Sequence, residues 1–286
     1  MSNTLGPVSN RAAAQSLGKK IAAHVPPRLT LAASALFAFS CLLFPAQRLE
    51  AMQIVRLAAG NPLASSSGIH TAPENSSPLA APRLIVIGFM GGRVKGGNLI
   101  HMEALLARDL QEKYPLQVYA AVFANHDAQD ALKAVLNLLD RNQDGRLSAD
   151  EKNAARIVIY GHSWGASETI ALARQLNALN IPVLLTIQVD SVQKPNEDDT
   201  DIPPNVREAV NFYQVEGLLH GRPLIKAMDS KMTTILGNFE SSYKDNPVAC
   251  TNYPWIARVF MKQHIEIEND ASVWGKIAAL IHAKLD

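Results

Sequence analysis

Short apolar runs rich in β-branched residues punctuate the chain from residue 84 onward, at 84–88, 117–123, 157–160 and 183–189, with a further candidate strand at 210–215. Between them lie stretches whose apolar residues recur at helical spacing. One covers 97–112, with Leu99, Met102, Leu105, Leu106 and Leu110; another covers 126–139, with Ala131, Val135 and Leu138. A third helix is expected over 166–178. A fourth covers 271–283, where Val273, Ile277, Leu280 and Ile281 fall on one stripe. Strands apolar on both faces, alternating with one-sided helices, predict an α/β fold: a mostly parallel central sheet with helices on both faces.

Ahead of these elements the pattern changes. Arg11, Lys19, Lys20 and Arg28 precede residues 29–46, an almost uncharged run rich in Leu, Ala and Phe. A basic stretch followed by an apolar one predicts a signal or membrane-anchor segment, and so an exported protein. It would be tethered to a membrane on the periplasmic or extracellular face, or secreted. Residues 58–82 are rich in Ser, Pro, Ala and Asn without periodicity, and 47–82 reads as a linker. The expected organisation is therefore a basic region (1–28), the apolar segment (29–46), the linker (47–82) and a folded domain (83–286). The net charge of +1, with both signs scattered, argues against a nucleic-acid partner. Cys41 and Cys250 lack metal-ligand spacing, and no disulfide between them is predicted.

The run at 157–160 ends in Gly161-His162-Ser163-Trp164-Gly165 and passes straight into a helix-forming segment. A strand that hands over to a helix this abruptly forces the serine into strained backbone angles, and the flanking glycines remove side chains that would clash. The hydroxyl then stands above the sheet edge at a helix N-terminus, where backbone N–H groups can stabilise a developing oxyanion.

In this turn and the elements around it, over roughly 83–286, the chain resembles the lipase and esterase members of the α/β-hydrolase family, whose elbow often reads Gly-His-Ser-x-Gly. The resemblance implies a nucleophile, an acid and a histidine in that chain order. Ser163 takes the first place. Asp190, at the end of the strand after the elbow, takes the second, one strand earlier than the commonest arrangement, with Glu216 and Asp229 as rivals. His264, expected on a loop ahead of the last helix, takes the third, with His220 as runner-up; His162, beside the serine, is expected to point away from it. For the oxyanion, the resemblance implies one N–H from Trp164 and one from the segment Gly88-Phe89-Met90-Gly91-Gly92, where Phe89 is favoured and Met90 is next. Ile87-Gly88 stands where the family often has His-Gly. The implied activity is cleavage of a small-molecule or lipid carboxylic ester through an acyl-enzyme, with no organic cofactor and no protein partner. Acyl transfer or thioester hydrolysis by the same triad remains open, as does a non-catalytic, calcium-stabilised binding module on the same scaffold.

Residues 140–151 match a twelve-residue EF-hand calcium loop. Asp140, Asn142, Asp144 and Ser148 place oxygens at its positions 1, 3, 5 and 9. The carbonyl of Arg146 falls at position 7, Gly145 at the sharp turn and Glu151 at position 12. Only about one helical turn follows, and no second loop pairs with it. The pattern predicts structural Ca2+ bound by Asp140, Asn142, Asp144, Arg146 and Glu151. The acidic run 197–201 lacks ligand spacing and is expected to be a solvated loop.

Overall fold

The strand β1 (Leu84–Met90) is buried along its whole length, and its side chains alternate between two cores. Ile85, Ile87 and Phe89 enter one apolar cluster; Leu84 and Val86 enter the other. Such alternation is the consequence of a pleated strand covered on both faces. The computed structural model describes residues 82–195 and 197–285. The basic region, the apolar segment 29–46, all but the last residue of the linker, and Cys41 lie outside the described residues.

From β1 the chain runs through α1 (Met102–Lys113), β2 (Val118–Ala124), α2 (Ala128–Leu139), α3 (Ala149–Asn153) and β3 (Ile157–His162). It continues through α4 (Trp164–Ala178), β4 (Val183–Val189), β5 (Asp201–Ile202), β6 (Val206–Tyr213), β7 (Lys226–Ala227) and β8 (Thr234–Glu240). Helices α5 (Trp255–Phe260), α6 (Lys262–Glu268) and α7 (Ala271–His282) close the described part. The main sheet has six strands in the order β2-β1-β3-β4-β6-β8, every neighbouring pair parallel, and β5 and β7 form a small separate pair. Helices α2 and α4 cover one face through Ala131, Val135, Ile170 and Leu176. Helices α1 and α7 cover the other through Leu106, Leu110, Trp274 and Ile277.

This order contains a switch point. From β1 the chain steps outward to β2, then returns past β1 to β3 and proceeds the other way. The loops after β1 and β3 therefore diverge, and the crevice between them lies at the C-terminal edge of the sheet, where open α/β sheets bind ligands.

Several elements depart from the sequence expectations. The first helix starts at Met102 rather than 97, because 91–101 turns and leaves Leu99 and Ile100 about half exposed, at 49% and 47%. The strand expected at 210–215 is β6, shifted to Val206–Tyr213 by its pairing with the full length of β4. Strand β8 is a partly exposed edge, and α5 buries no residue and leaves Trp255, Val259 and Phe260 exposed. His264 lies inside the short helix α6 and not on a loop. Among the described residues no helix is long and apolar enough to cross a membrane.

Candidate active site

Strand β3 runs two residues past its apolar core, since Gly161 and His162 still pair with Gln188 and Val189 of β4. Ser163 then reverses the chain with φ 57° and ψ −124°, and α4 begins at Trp164. A Cβ on Gly161 would fall inside the backbone of Gly165, and one on Gly165 inside the carbonyl of Phe89. The two glycines thus permit the approach of strand, helix and β1 that the strained serine requires.

Ser163 Oγ lies 2.9 Å from His264 Nε2, and His264 Nδ1 lies 2.6 Å from Asp190 Oδ2. All three residues are buried. Asp190 follows directly on β4 with a positive φ of 44°. Its Oδ1 accepts from the amides of Gln214 (3.2 Å) and Gly221 (2.7 Å), and its Oδ2 also accepts from Gln214 Nε2 (2.9 Å). Burial opposes the charge on this carboxylate. The bond and the positive charge of His264, then the bond from Gln214, outweigh that penalty and hold its pKa below the usual value. Gln214 had no signal in the sequence beyond its place at the end of a strand. Its Oε1 also accepts from the amides of Glu216 and Gly217, so one side chain ties the acid to the loop that follows.

The rival residues lie elsewhere. Glu216 accepts from Ser242 Oγ and the amide of Tyr243, Asp229 is exposed and accepts from the amide of Lys231, and His220 is exposed with its ring on Gly221 O. His162 turns Nε2 to the carbonyl of His264 at 3.1 Å. Met90, the second choice for the oxyanion, is the last residue of β1 and is buried. Within the acidic run, Asp199 is buried and accepts from Ser191 Oγ at 2.6 Å, so this part of the loop is not solvated.

Phe89 sits inside β1, in register with Phe123 on one side and Gly161 on the other. The amides of Leu84 and Ile85 donate to Gln117 O and Arg156 O, so successive amides of β1 face β2 and β3 in turn. By that alternation Phe89 faces β3 within the paired ladder. Gly91 is the first residue beyond the strand on the β3 side, and a Cβ there would lie 3.1 Å from Ser163 Cβ. Trp164 occupies the first turn of α4.

The loop after α2 folds around its own acidic side chains. Asp140 accepts from the amides of Asp144 (3.2 Å) and Gly145 (2.9 Å), and Asp144 from the amide of Arg146 (2.8 Å). Asn142 Oδ1 accepts from the amide of Asp144 at 3.1 Å. Glu151 reaches back across the loop to the amides of Arg141 and Ser148, both at 2.9 Å, and forms a capping box with Ser148. The Ser148 amide, then its hydroxyl, lowers the pKa of Glu151.

Neither a protein-family model nor a curated protein sequence matches the chain. Among solved structures it is similar to an acetylxylan esterase, with 12% identity, a TM-score of 0.37, and coverage of 72% of this chain and 100% of that one. It is also similar to the RedJ thioesterase of the prodiginine pathway in Streptomyces coelicolor, with 11% identity, a TM-score of 0.34, and coverage of 72% and 91%. A hydrolase of the α/β superfamily from Xanthomonas campestris shares 12% identity at a TM-score of 0.28, over 56% of this chain and 90% of that one.

Proposed function

We propose that this chain is a serine hydrolase that cleaves carboxylic esters. The observation that carries the reading is the unbroken chain from Ser163 Oγ through His264 to Asp190, built on a serine with the strained backbone of an elbow. In this reading His264 Nε2 takes the hydroxyl proton as the serine oxygen attacks the acyl carbon, while Asp190 holds Nδ1–H and stabilises the imidazolium. The collapsing tetrahedral intermediate expels the alcohol, which receives the proton from His264. Water then repeats the sequence on the acyl-enzyme, and the serine proton is restored.

For the oxyanion we assign the amide of Trp164, at the N-terminus of α4, and that of Gly91, which replaces Phe89 in this role because Phe89 lies within the paired strand. A fluorophosphonate probe tests the nucleophile. Stoichiometric labelling of Ser163, lost together with ester hydrolysis in Ser163→Ala, is expected. Hydrolysis undiminished in that variant would remove the reading.

We propose in addition that the loop 140–151 holds structural calcium. The donor set fits a hard cation: the side-chain oxygens of Asp140, Asn142, Asp144 and Glu151, with the carbonyl of Arg146. The positive φ values of Gln143 (58°) and Gly145 (79°) give the loop the sharp turn that such a site needs. Bound calcium would neutralise their mutual repulsion and fix the link between α2 and β3. The basic and apolar N-terminal segments support export, to a compartment where calcium is plentiful.

A further inference from the structure

Next to the triad lies a second group of buried imidazoles and carboxylates that ester cleavage leaves unused. His101 caps α1, Glu103 stands in its first turn, and Glu268 ends α6, four residues after the proposed catalytic histidine. His162, the residue before the nucleophile, completes the group. Its Nδ1 lies 3.5 Å from Glu268 Oε2 and 3.9 Å from Glu103 Oε1. His101 Nδ1 contacts Glu268 Oε1. One donor atom from each of His101, Glu103 and Glu268 lies within 4.8 Å of the others.

The hydrogen bonds of this group do not close. His162 Nε2 faces a backbone carbonyl, which only accepts, so that nitrogen carries the proton and a neutral ring turns the Nδ1 lone pair toward two carboxylates. Glu103 is wholly buried, and neither of its carboxylate oxygens has a hydrogen-bond donor among the described residues. Among the described residues, the imidazole of His101 contacts this cluster of acceptors, and its Nδ1 is engaged with Glu268. A buried carboxylate in such a place requires a further positive charge.

We propose that His101, Glu103, His162 and Glu268 form a binding site for a divalent transition metal of the zinc type. Two imidazoles and two carboxylates are a common nitrogen–oxygen set for zinc. The bond from His162 Nε2 to the His264 carbonyl is the outer-shell contact that fixes a ligating imidazole in one tautomer. The His101 side chain, 13% exposed, gives the ion a route from solvent. A metal there would join α1, the end of β3 and α6, clamping the helix of His264 to the strand of Ser163. The binding claim stands whether or not the chain hydrolyses esters.

The test uses the full-length chain, loaded with Zn2+ and freed of excess, with metal content measured by elemental analysis and Co2+ exchange followed by ligand-field absorption. One zinc per chain is expected, with affinity reduced by more than about 100-fold in His101→Ala and in Glu268→Gln. Circular dichroism checks that both variants are folded, and His101→Ala, at a partly exposed position, is the safer of the two. Asp190→Asn and Glu151→Gln should leave zinc content unchanged, which separates this site from the triad and from the calcium loop. Absence of bound zinc would overturn the proposal, as would zinc that survives in folded His101→Ala or disappears with Asp190→Asn. An infrared carboxylic-acid band that vanishes in Glu103→Gln but persists on adding Zn2+ would assign a trapped proton instead, and would overturn it as well.

Discussion

Asp190 and Glu103 are carboxylates buried to the same depth, each beside a histidine of one elbow-centred cluster, and the fold treats them in opposite ways. Asp190 receives two backbone amides, the Gln214 amide group and the imidazole of His264. Glu103 receives no donor, and burial followed by the charge of Glu268 pushes its pKa up to about 8. Burying a charged carboxylate without compensation costs several kcal/mol. At Asp190 that cost is met by fixed dipoles and a titratable partner, which leaves the group ionised and able to orient a base. At Glu103 it must be met by something that arrives, a proton or a cation. In the proposed reading, preorganisation suits the first group to orienting a base, and the unmet charge requirement suits the second to holding a bound ion.

The sharpest way to break this contrast is at Asp190. Asp190→Asn should lower kcat on a p-nitrophenyl ester on the order of ten-thousand-fold, because the amide favours the wrong imidazole tautomer. Glu216→Gln should leave turnover near the parent value, since Glu216 is spent on Ser242 and Tyr243. The reverse pattern in steady-state kinetics would move the acid to the following strand.

A smaller effect is expected at the oxyanion. Gly91→Ala places a methyl group 3.1 Å from Ser163 Cβ and 3.2 Å from His162 O. The neighbours must give by a few tenths of an ångström, so kcat should fall about tenfold with KM little changed. Gly92→Ala meets no neighbour, although its φ of 53° strains an alanine, and should lose less because nothing is pushed against Ser163. Equal losses in the two variants would deny Gly91 a special position.

Glu103→Gln sharpens the comparison from the other side. With chelator present and above pH 8, where the carboxylate is ionised, it removes a buried charge that has no donor among the described residues, so the melting temperature there should rise by a few degrees, about what 1 kcal/mol provides in a domain of this size. A fall in scanning calorimetry would mean that the Glu103 carboxylate is satisfied as it stands.

How much of this could be read from the chain follows the reach of each interaction. The elbow is local: apolar strand, glycines and serine are adjacent, so residues 161–165 announce their geometry. Asp190 and His264 were placed by strand ends and chain order, though α6 went unseen because it is too short to show a period. The second cluster was invisible. His101 and Glu268 lie 167 residues apart, and nothing in either neighbourhood distinguishes them from ordinary helix-end residues. Phe89 illustrates a different failure. A motif position cannot say where a strand stops, and β1 runs two residues past Gly88, so that Gly91 is the first residue beyond it.

The proposed calcium loop should give the smallest effect on turnover and isolates stability from chemistry. Its acidic oxygens repel one another unless a cation is present, so calcium should raise the melting temperature with concentration, by mass action on the native state. Glu151 has two roles in this reading, as the proposed position-12 ligand and as the observed partner of Ser148 in the capping box. Glu151→Gln keeps an oxygen acceptor for the cap but halves the anionic reach toward the ion, so it should abolish most of the calcium-dependent rise while shifting the chelated protein less. Because α3 joins the loop to the N-terminal end of β3, and the serine stands at the other end, kcat at moderate temperature should stay close to the parent value. Calorimetry with and without chelator, alongside kinetics at saturating ester, measures both. An absence of any calcium-dependent shift at millimolar concentration would show the loop to be an ordinary polar turn. A large loss of kcat without loss of stability would show that the ion acts on the reaction itself.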